Sequence, residues 1–476
     1  MKHNIILTAL ILSLGFSLMA MQMPSSSPLN NSGDRIELLN ADSLVGTTDT
    51  EQGLTRAYEG KVSFRQGDIN VHCSKAFHNI TANNAELIGN VLIIQQDMRL
   101  NSPKVFYDGV TGVAQSFQHI RIKDKNVQLD AQKGYYSTQN HIANFYGDCK
   151  ISDDTVTIIS DSIEYNRRTL FSKAFGNVKI EDDSSIVYAN SIEHQRRTRD
   201  TKAYGSVIVQ GKYSGTYLTA DSIENSVQSD YIVARSNPIL FKIDSTEQKQ
   251  IELDTINNKI DTLANYKYDT LSIASDLMES IKIEGEQRYL FKGKAEVNKS
   301  DIQAKADNMI YYKDRGVIYM TGNPCVWFDS TQIIADTITI YAKDNKLQRI
   351  IAEGTAFATI KNDTVNPEKI NQLMGKAIHI EFANDTINLI NAIGDAKSLM
   401  FMESEKGSEG ANRTSADTIR IYFELGELSE FIGLGGIVGE ALPENMVAAN
   451  PKEYYLPNYK RIDAKPEKKY LINRNK

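Results

Sequence analysis

Residues 160–180 read Ser160-Asp161-Ser162-Ile163-Glu164-Tyr165, then Asn166-Arg167-Arg168-Thr169, then Leu170-Phe171-Ser172-Lys173-Ala174-Phe175-Gly176-Asn177-Val178-Lys179-Ile180. Ile163 and Tyr165 alternate with polar residues before a polar turn, and Val178 and Ile180 alternate after it. That is the period of a strand with one buried face. Gly176-Asn177 divides the second run, and Gly, Asn, Asp and Ser are what a strand uses where it bends or bulges. Ala189-Asn190-Ser191 divides the following run between Ile186–Tyr188 and Ile192–His194 in the same way. The spacing between turns leaves about a dozen residues per run, longer than an ordinary strand. Each run therefore reads as a folded strand, half in one sheet and half in a facing one.

The stretch repeats. Its first element returns as Cys73-Ser74-Lys75, Ser102-Pro103-Lys104, Ala131-Gln132-Lys133, Ser160-Asp161-Ser162 and Ala189-Asn190-Ser191, each step 29 residues. Its second element keeps the same beat at Tyr146-Gly147, Phe175-Gly176 and Tyr204-Gly205. With wobble, the first element continues at Ala220-Asp221-Ser222, Ser275-Asp276-Leu277, Ala306-Asp307-Asn308, Ala335-Asp336-Thr337, Gly375-Lys376-Ala377 and Ala416-Asp417-Thr418. A fixed period of this length means one supersecondary unit stacked many times. The expected fold is all-β and elongated, with two facing antiparallel sheets of bent strands around an apolar trough. Joined along one edge only, the sheets leave an open mouth, where an exposed apolar face implies a ligand.

Composition supports strands and excludes several functions. Tyr (23) and Phe (16) far outnumber the single Trp327, and six of the ten prolines lie in the end regions, so the interior avoids a residue that breaks ladders. A net charge of -7 with interspersed signs provides no basic face, so no nucleic-acid partner is expected. No phosphate loop, dinucleotide fingerprint or nucleophile elbow is present, and neither a cofactor nor an enzymatic activity is expected. Cys73, Cys149 and Cys325 read as small buried hydrophobes. His72, His78, His119, His141, His194 and His379 show no metal-ligand spacing, so no metal site is expected. The Asp in the second position of the first element (Asp42, Asp161, Asp221, Asp276, Asp307, Asp336, Asp417) reads as bonding to bend backbone. Arg167-Arg168 and Arg196-Arg197 lie at equivalent turns, 29 residues apart; contact with the phosphates of a headgroup is one reading, and solvated turn charges are the preferred one.

Lys2 and His3 precede an apolar run to Ala20, the pattern of a secretory signal over residues 1–20. A first repeat module is expected over 34–245, a blurred junction over 246–274, a second module over 275–440 and a flexible basic tail over 441–476. Asn366-Pro367-Glu368-Lys369 reads as a short helical insertion, and Met402–Ser415 as a polar loop.

The alternation of Ala-Asp-Ser-Ile-x-Tyr with Ala-x-Gly-Asn-Val-x-Ile resembles the OstA/LptA-like repeat of lipopolysaccharide-transport proteins. It is clearest at 160–165 with 174–180, and returns at Ala306-Asp307-Asn308-Met309-Ile310-Tyr311 with Thr321-Gly322-Asn323. The resemblance covers about residues 40–440. It implies an open β-jellyroll in the periplasm that shields the acyl chains of lipopolysaccharide during transfer to the outer membrane. It also implies joining to other lipopolysaccharide-transport proteins by β-augmentation of terminal strands. On that reading Ile163, Tyr165, Val178, Ile180, Val207 and Val209 line the lipid-binding trough. The alternative is a surface or structural β-solenoid, an adhesion or scaffold protein without lipid cargo and with a filled interior. A polysaccharide lyase on a β-helix would need a clustered charged patch that the evenly spaced Asp residues do not supply.

Overall fold

Two successive left-handed residues break the long strand Phe171–Glu181 at its middle: Gly176 has φ +75° and Asn177 φ +45°. Glycine takes this conformation freely, and Asn is among the few other residues that tolerate it. The pairing skips there. Phe175 lies opposite Ser191 and Val178 opposite Ala189, so Gly176 and Asn177 face the single Asn190. A bulge of this kind bends the strand sharply. Gly322-Asn323 repeats the conformation at +76° and +52°.

The computed structural model describes residues 35–469, apart from 52, 255–258, 344–345, 362–365, 384–385, 405–406 and 425–426. The expected signal segment, 1–20, lies outside the described residues. The chain separates into two compact units, Met1–Ile232 and Val233–Lys476. Among the described residues no helix is long and apolar enough to cross a membrane.

In the first unit an antiparallel meander runs from Gly53–Gln66 to Thr216–Ser226. Between Met98–Asp108 and Ile142–Ser152 its strands are split into separate halves, Val113–Ser116 pairing with Lys133–Ser137 and Ile120–Asp124 with Val127–Ala131. The bends divide it into two limbs. One set of half-strands ends at the turns 80–83, 109–112, 138–141, 167–170 and 196–199, and forms the first limb. The other set ends at 67–68, 96–97, 125–126, 153–156 and 182–184, and forms the second. Burial alternates along each half. In Phe171–Glu181 the side chains of Ser172, Ala174, Val178 and Ile180 are buried, whereas Phe175 is 41% exposed. This is the bent-strand β-jellyroll that the repeat implies.

The second unit repeats the plan. Phe291, Met309, Met320, Ile338 and Ala352 lie opposite one another across successive strands and are all buried. The blurred stretch 246–274 belongs to a straight hairpin, Ile239–Asp254 with Lys259–Ala274, whose register runs without a shift from Ile239↔Ala274 to Asp254↔Lys259. No glycine occurs between 239 and 274, so the strands have no bend and the motif that marks it is missing.

Three local expectations are corrected. Asn366–Lys369 is a turn, in which the Asn366 side chain accepts from Glu368 N–H at 3.0 Å, and the strand Ile370–Ala383 begins at once, leaving no room for a helix. Met402–Ser415 is not a loop: Thr386–Ser404 and Gly407–Glu424 pair up to Ser404↔Gly407. The tail is not free. After a helical turn, Glu444–Val447, and a 3-10 turn, Pro451–Tyr454, residues 455–469 run back across the outer face of one limb. Ile462 donates to and accepts from the Gln332 amide, Leu456 N–H donates to Gln372, and Asn298 donates to Pro466 O. Leu456 and Val447 close over Phe357, Leu399 and Phe401, apolar side chains that point outward and would otherwise face water. The last residues of the expected tail, 470–476, lie outside the described residues.

Candidate functional site

The interior of the first unit is built from rows of inward side chains that cross the strands. In the second limb Ile158, Ile180, Val187, Val209 and Leu218 lie directly opposite one another on successive strands. In the first limb Ile163, Ala174, Ile192, Ala203 and Ile223 form the matching row. All six sequence-derived trough residues face inward: Ile163, Tyr165, Val178, Ile180 and Val207 are 1% exposed and Val209 2%. The apolar face expected at an open mouth is therefore not exposed.

Side chains from the tips of the two limbs meet across that mouth. Gln66 ends a second-limb strand; it donates to Gly109 O at 2.6 Å and accepts from the Tyr107 hydroxyl at 2.7 Å. Gln95 repeats this, donating to Thr138 O at 3.1 Å and accepting from Tyr136 at 2.9 Å. At the next step Asp124 accepts from Arg167 Nε at 2.9 Å, and at the next Asp153 pairs with Arg196. Gln66, Gln95, Asp124 and Asp153 are each 29 residues apart, so one bridge belongs to each repeat. The Arg167 and Asp124 side chains are 11% and 7% exposed, and those of Arg196 and Asp153 are 5% and 17%. Arg167 and Arg196 are thus buried ion-pair partners rather than solvated turn charges; Arg168 and Arg197 are the exposed members of each pair. At the fifth step the series stops, and Asp182 accepts from Ser184 and Ser185 of its own turn.

The first-limb row nearest the mouth changes character along the unit. It begins with the buried His78, runs through Ala85, Tyr107, Ala114, Tyr136 and Ala143, and continues through Tyr165, Ser172, His194, Thr201 and Asn225. The last four are polar and 1–4% exposed. His194 Nδ1 bonds the Thr201 hydroxyl, and burial holds the imidazole well below its ordinary range, at about 4. Tyr165 Oη, Ser172 Oγ, Asn225 Nδ2 and Arg196 Nε and Nη2 are buried with no hydrogen-bond partner.

The remaining sequence candidates are structural. Asp161 Oδ2 accepts from Asn177 at 3.0 Å and sits against Gly176, while Asp276, Asp307 and Asp417 N–H groups donate at 2.8 Å to the glycine carbonyls of the facing bends. Ser160 and Ser275 hydroxyls donate to the carbonyls two residues on. The three cysteines are buried and unpaired, and burial pushes their thiols up to about 11, 11 and 12 for Cys73, Cys149 and Cys325. Among the described residues no three His, Cys, Asp or Glu side chains are gathered to hold a metal.

Two family models match the chain: that described as OstA-like protein over residues 33–190, and that described as LptA/(LptD N-terminal domain) LPS transport protein over 171–341. Both include 171–190, the bent strand Phe171–Glu181 and the first half of its partner, Ser185–Gln195. The chain belongs to the OstA/LptA-like family. Among solved structures, this family member is similar to LptH of Pseudomonas aeruginosa, described as the LptA-homologous periplasmic component of a lipopolysaccharide transport device. The identity is 17%, over 30% of this chain and 95% of that one, with a TM-score of 0.24. None of the curated proteins is similar to it in sequence.

The cross-mouth bridges and the polar row escaped the reading of the sequence. The bridges carry a readable signal, a Gln/Asp beat of 29 residues at the turns, but their partners lie 41–43 residues away on the other limb. Only the folded strand brings those positions together.

Proposed function

We propose that this protein carries lipopolysaccharide through the periplasm, holding the acyl chains between the two limbs during transfer to the outer membrane. The continuous inward rows of Ile, Val and Ala carry this reading, because they offer near-equal apolar positions at every strand. Each methylene taken out of water there is worth about 0.8 kcal/mol, and uniform rows let a chain slide. Since the side chains already fill the interior, the limbs must part at the bridges for lipid to enter. Direction would come from a motor elsewhere.

Terminal strands support assembly with other lipopolysaccharide-transport proteins by strand addition. Leu44 and Val45 in Ser43–Thr50 are each 56% exposed, and Leu428 in Glu427–Leu434 is 49% exposed. Apolar strands left open in this way are templates for pairing.

The filled interior is also what a scaffold without cargo would have, so that reading stands as the rival. In-cell photocrosslinking from Val178, with the turn residue Arg197 as control and lipopolysaccharide as the probe, separates them. Adducts at Val178 that are absent at Arg197 support the carrier. Silence at Val178, Ile180 and Val209 together would leave the scaffold.

A further inference from the structure

The buried donors at one end of the first unit are a feature that a purely apolar conduit does not need. Burying a hydroxyl, amide or guanidinium group without a partner is costly, and such groups in a native fold call for an explanation. Tyr165 Oη, Ser172 Oγ, Asn225 Nδ2 and Arg196 Nε and Nη2 are all able to donate, and all lack a partner. The register places Tyr165 beside Ser172 and, after His194 and Thr201, ends the row at Asn225, five successive strands in all. Arg196 opens the turn two residues after His194. Among the described residues of the unit the other orphaned buried atoms are Asp124 Oδ1, an acceptor on the neighbouring bridge, and both ring nitrogens of His78, at the far end of the same row.

We propose that this row, with Arg196, is a binding site for a phosphate monoester on the headgroup of an amphiphile. The proposal rests on the lipid-carrier reading and adds the headgroup chemistry to it. Arg196 presents a planar fork suited to a tetrahedral anion. Ser172, directly opposite His194, adds the nearest neutral donor to the phosphate. Tyr165 and Asn225 lie four strands apart, about 19 Å at ~4.8 Å per strand, and serve other polar groups of the headgroup on either side. The next row inward is apolar (Ile163, Ala174, Ile192), so a molecule with an anionic end at the mouth and hydrocarbon behind it matches both rows. Asp153 now covers one edge of the Arg196 guanidinium, and an incoming phosphate takes its place. The way in lies alongside, where Asp182 bonds to its own turn instead of crossing the mouth.

The test measures binding of diphosphoryl lipid A and its dephosphorylated counterpart to the full chain, with inorganic phosphate as a third probe. The wild type is expected to bind the phosphorylated lipid about tenfold more tightly, the effect of a few charge-assisted hydrogen bonds. Arg196→Gln should erase that preference, and Asp153→Asn, which frees the guanidinium, should widen it. Ser172→Ala should narrow it about threefold while leaving the fold intact, since it removes an unpartnered buried hydroxyl. Equal binding of both lipids by wild type and Arg196→Gln overturns the site but leaves the carrier standing. Failure of either lipid to bind overturns both. Inorganic phosphate that binds without competing with lipid A overturns the headgroup assignment in favour of a free-anion site.

Discussion

The Asp161 carboxylate occupies the space that a Cβ on Gly176 would need: its Oδ2 lies 2.2 Å from that position, and Gly176 is held at φ +75°. Two penalties therefore meet at one residue, left-handed strain and a clash. Gly176→Ala is expected to destabilise the protein by about 2–4 kcal/mol. Gly285 separates the two terms, because it has φ +84° but nothing within 4 Å of a Cβ. Gly285→Ala should cost about 1 kcal/mol, the strain alone. Urea midpoints of the two variants check this; equal losses would mean that the Asp161 contact is irrelevant to the bend.

Asp124 and Arg167 form a nearly dry ion pair, so removing one member leaves a buried charge. Arg167→Met is expected to cost about 3–5 kcal/mol. The double variant Asp124→Leu/Arg167→Met should recover most of that loss, since hydrophobic replacement of a buried pair is often close to neutral. Equilibrium unfolding of the four proteins in this cycle gives the coupling. Additive losses would show that the pair does not hold the limb tips together.

Much of this fold is written locally. Ile163, Tyr165, Val178 and Ile180 declare their face by alternation, and Gly176-Asn177 declares the bend, because both depend on backbone conformation within a few residues. What a period cannot convey is how two limbs meet. Arg167 has the same turn-like surroundings as Arg168, yet one is buried against Asp124 and the other is exposed. The tail misled for a related reason. Its Lys, Pro and Tyr look like the composition of a mobile segment, but Leu456 has a ready-made outward patch at Phe357, Leu399 and Phe401 to cover. The missing glycine between 239 and 274, by contrast, was legible as a blurred repeat, and its consequence is a strand pair without a bend.

The tail can be tested directly. Leu456 is 3% exposed and packs in the cluster over Phe357 and Leu399. Leu456→Ala should destabilise the second unit by about 2–4 kcal/mol, and Gln332→Ala, which removes both bonds to Ile462, by about 1–2 kcal/mol. Both variants should speed proteolysis within 449–469. Losses below about 0.5 kcal/mol, the range of ordinary surface changes, would mean that the strap adds nothing.

His194 makes stability depend on pH with a defined sign. Burial lowers its folded-state pKa from 6.5 to about 4, against the opposing pull of Asp200; Arg199 acts in the same direction as burial. A neutral imidazole is thus kept in the folded state while the unfolded chain takes up a proton. The folded protein holds its full stability above about pH 6.5 and loses it as pH falls toward 4, by on the order of 3 kcal/mol for this group. His78, lowered by burial and then by Arg56, adds to the loss in the same direction. His194→Gln removes the titration and keeps a polar side chain near Thr201. Chemical unfolding at pH 7.5, 5.5 and 4.5 should show the wild type losing ground to this variant at each step down. Parallel profiles for the two proteins would show that His194 is protonated at no cost and that the interior row near the mouth is wetter than its burial indicates.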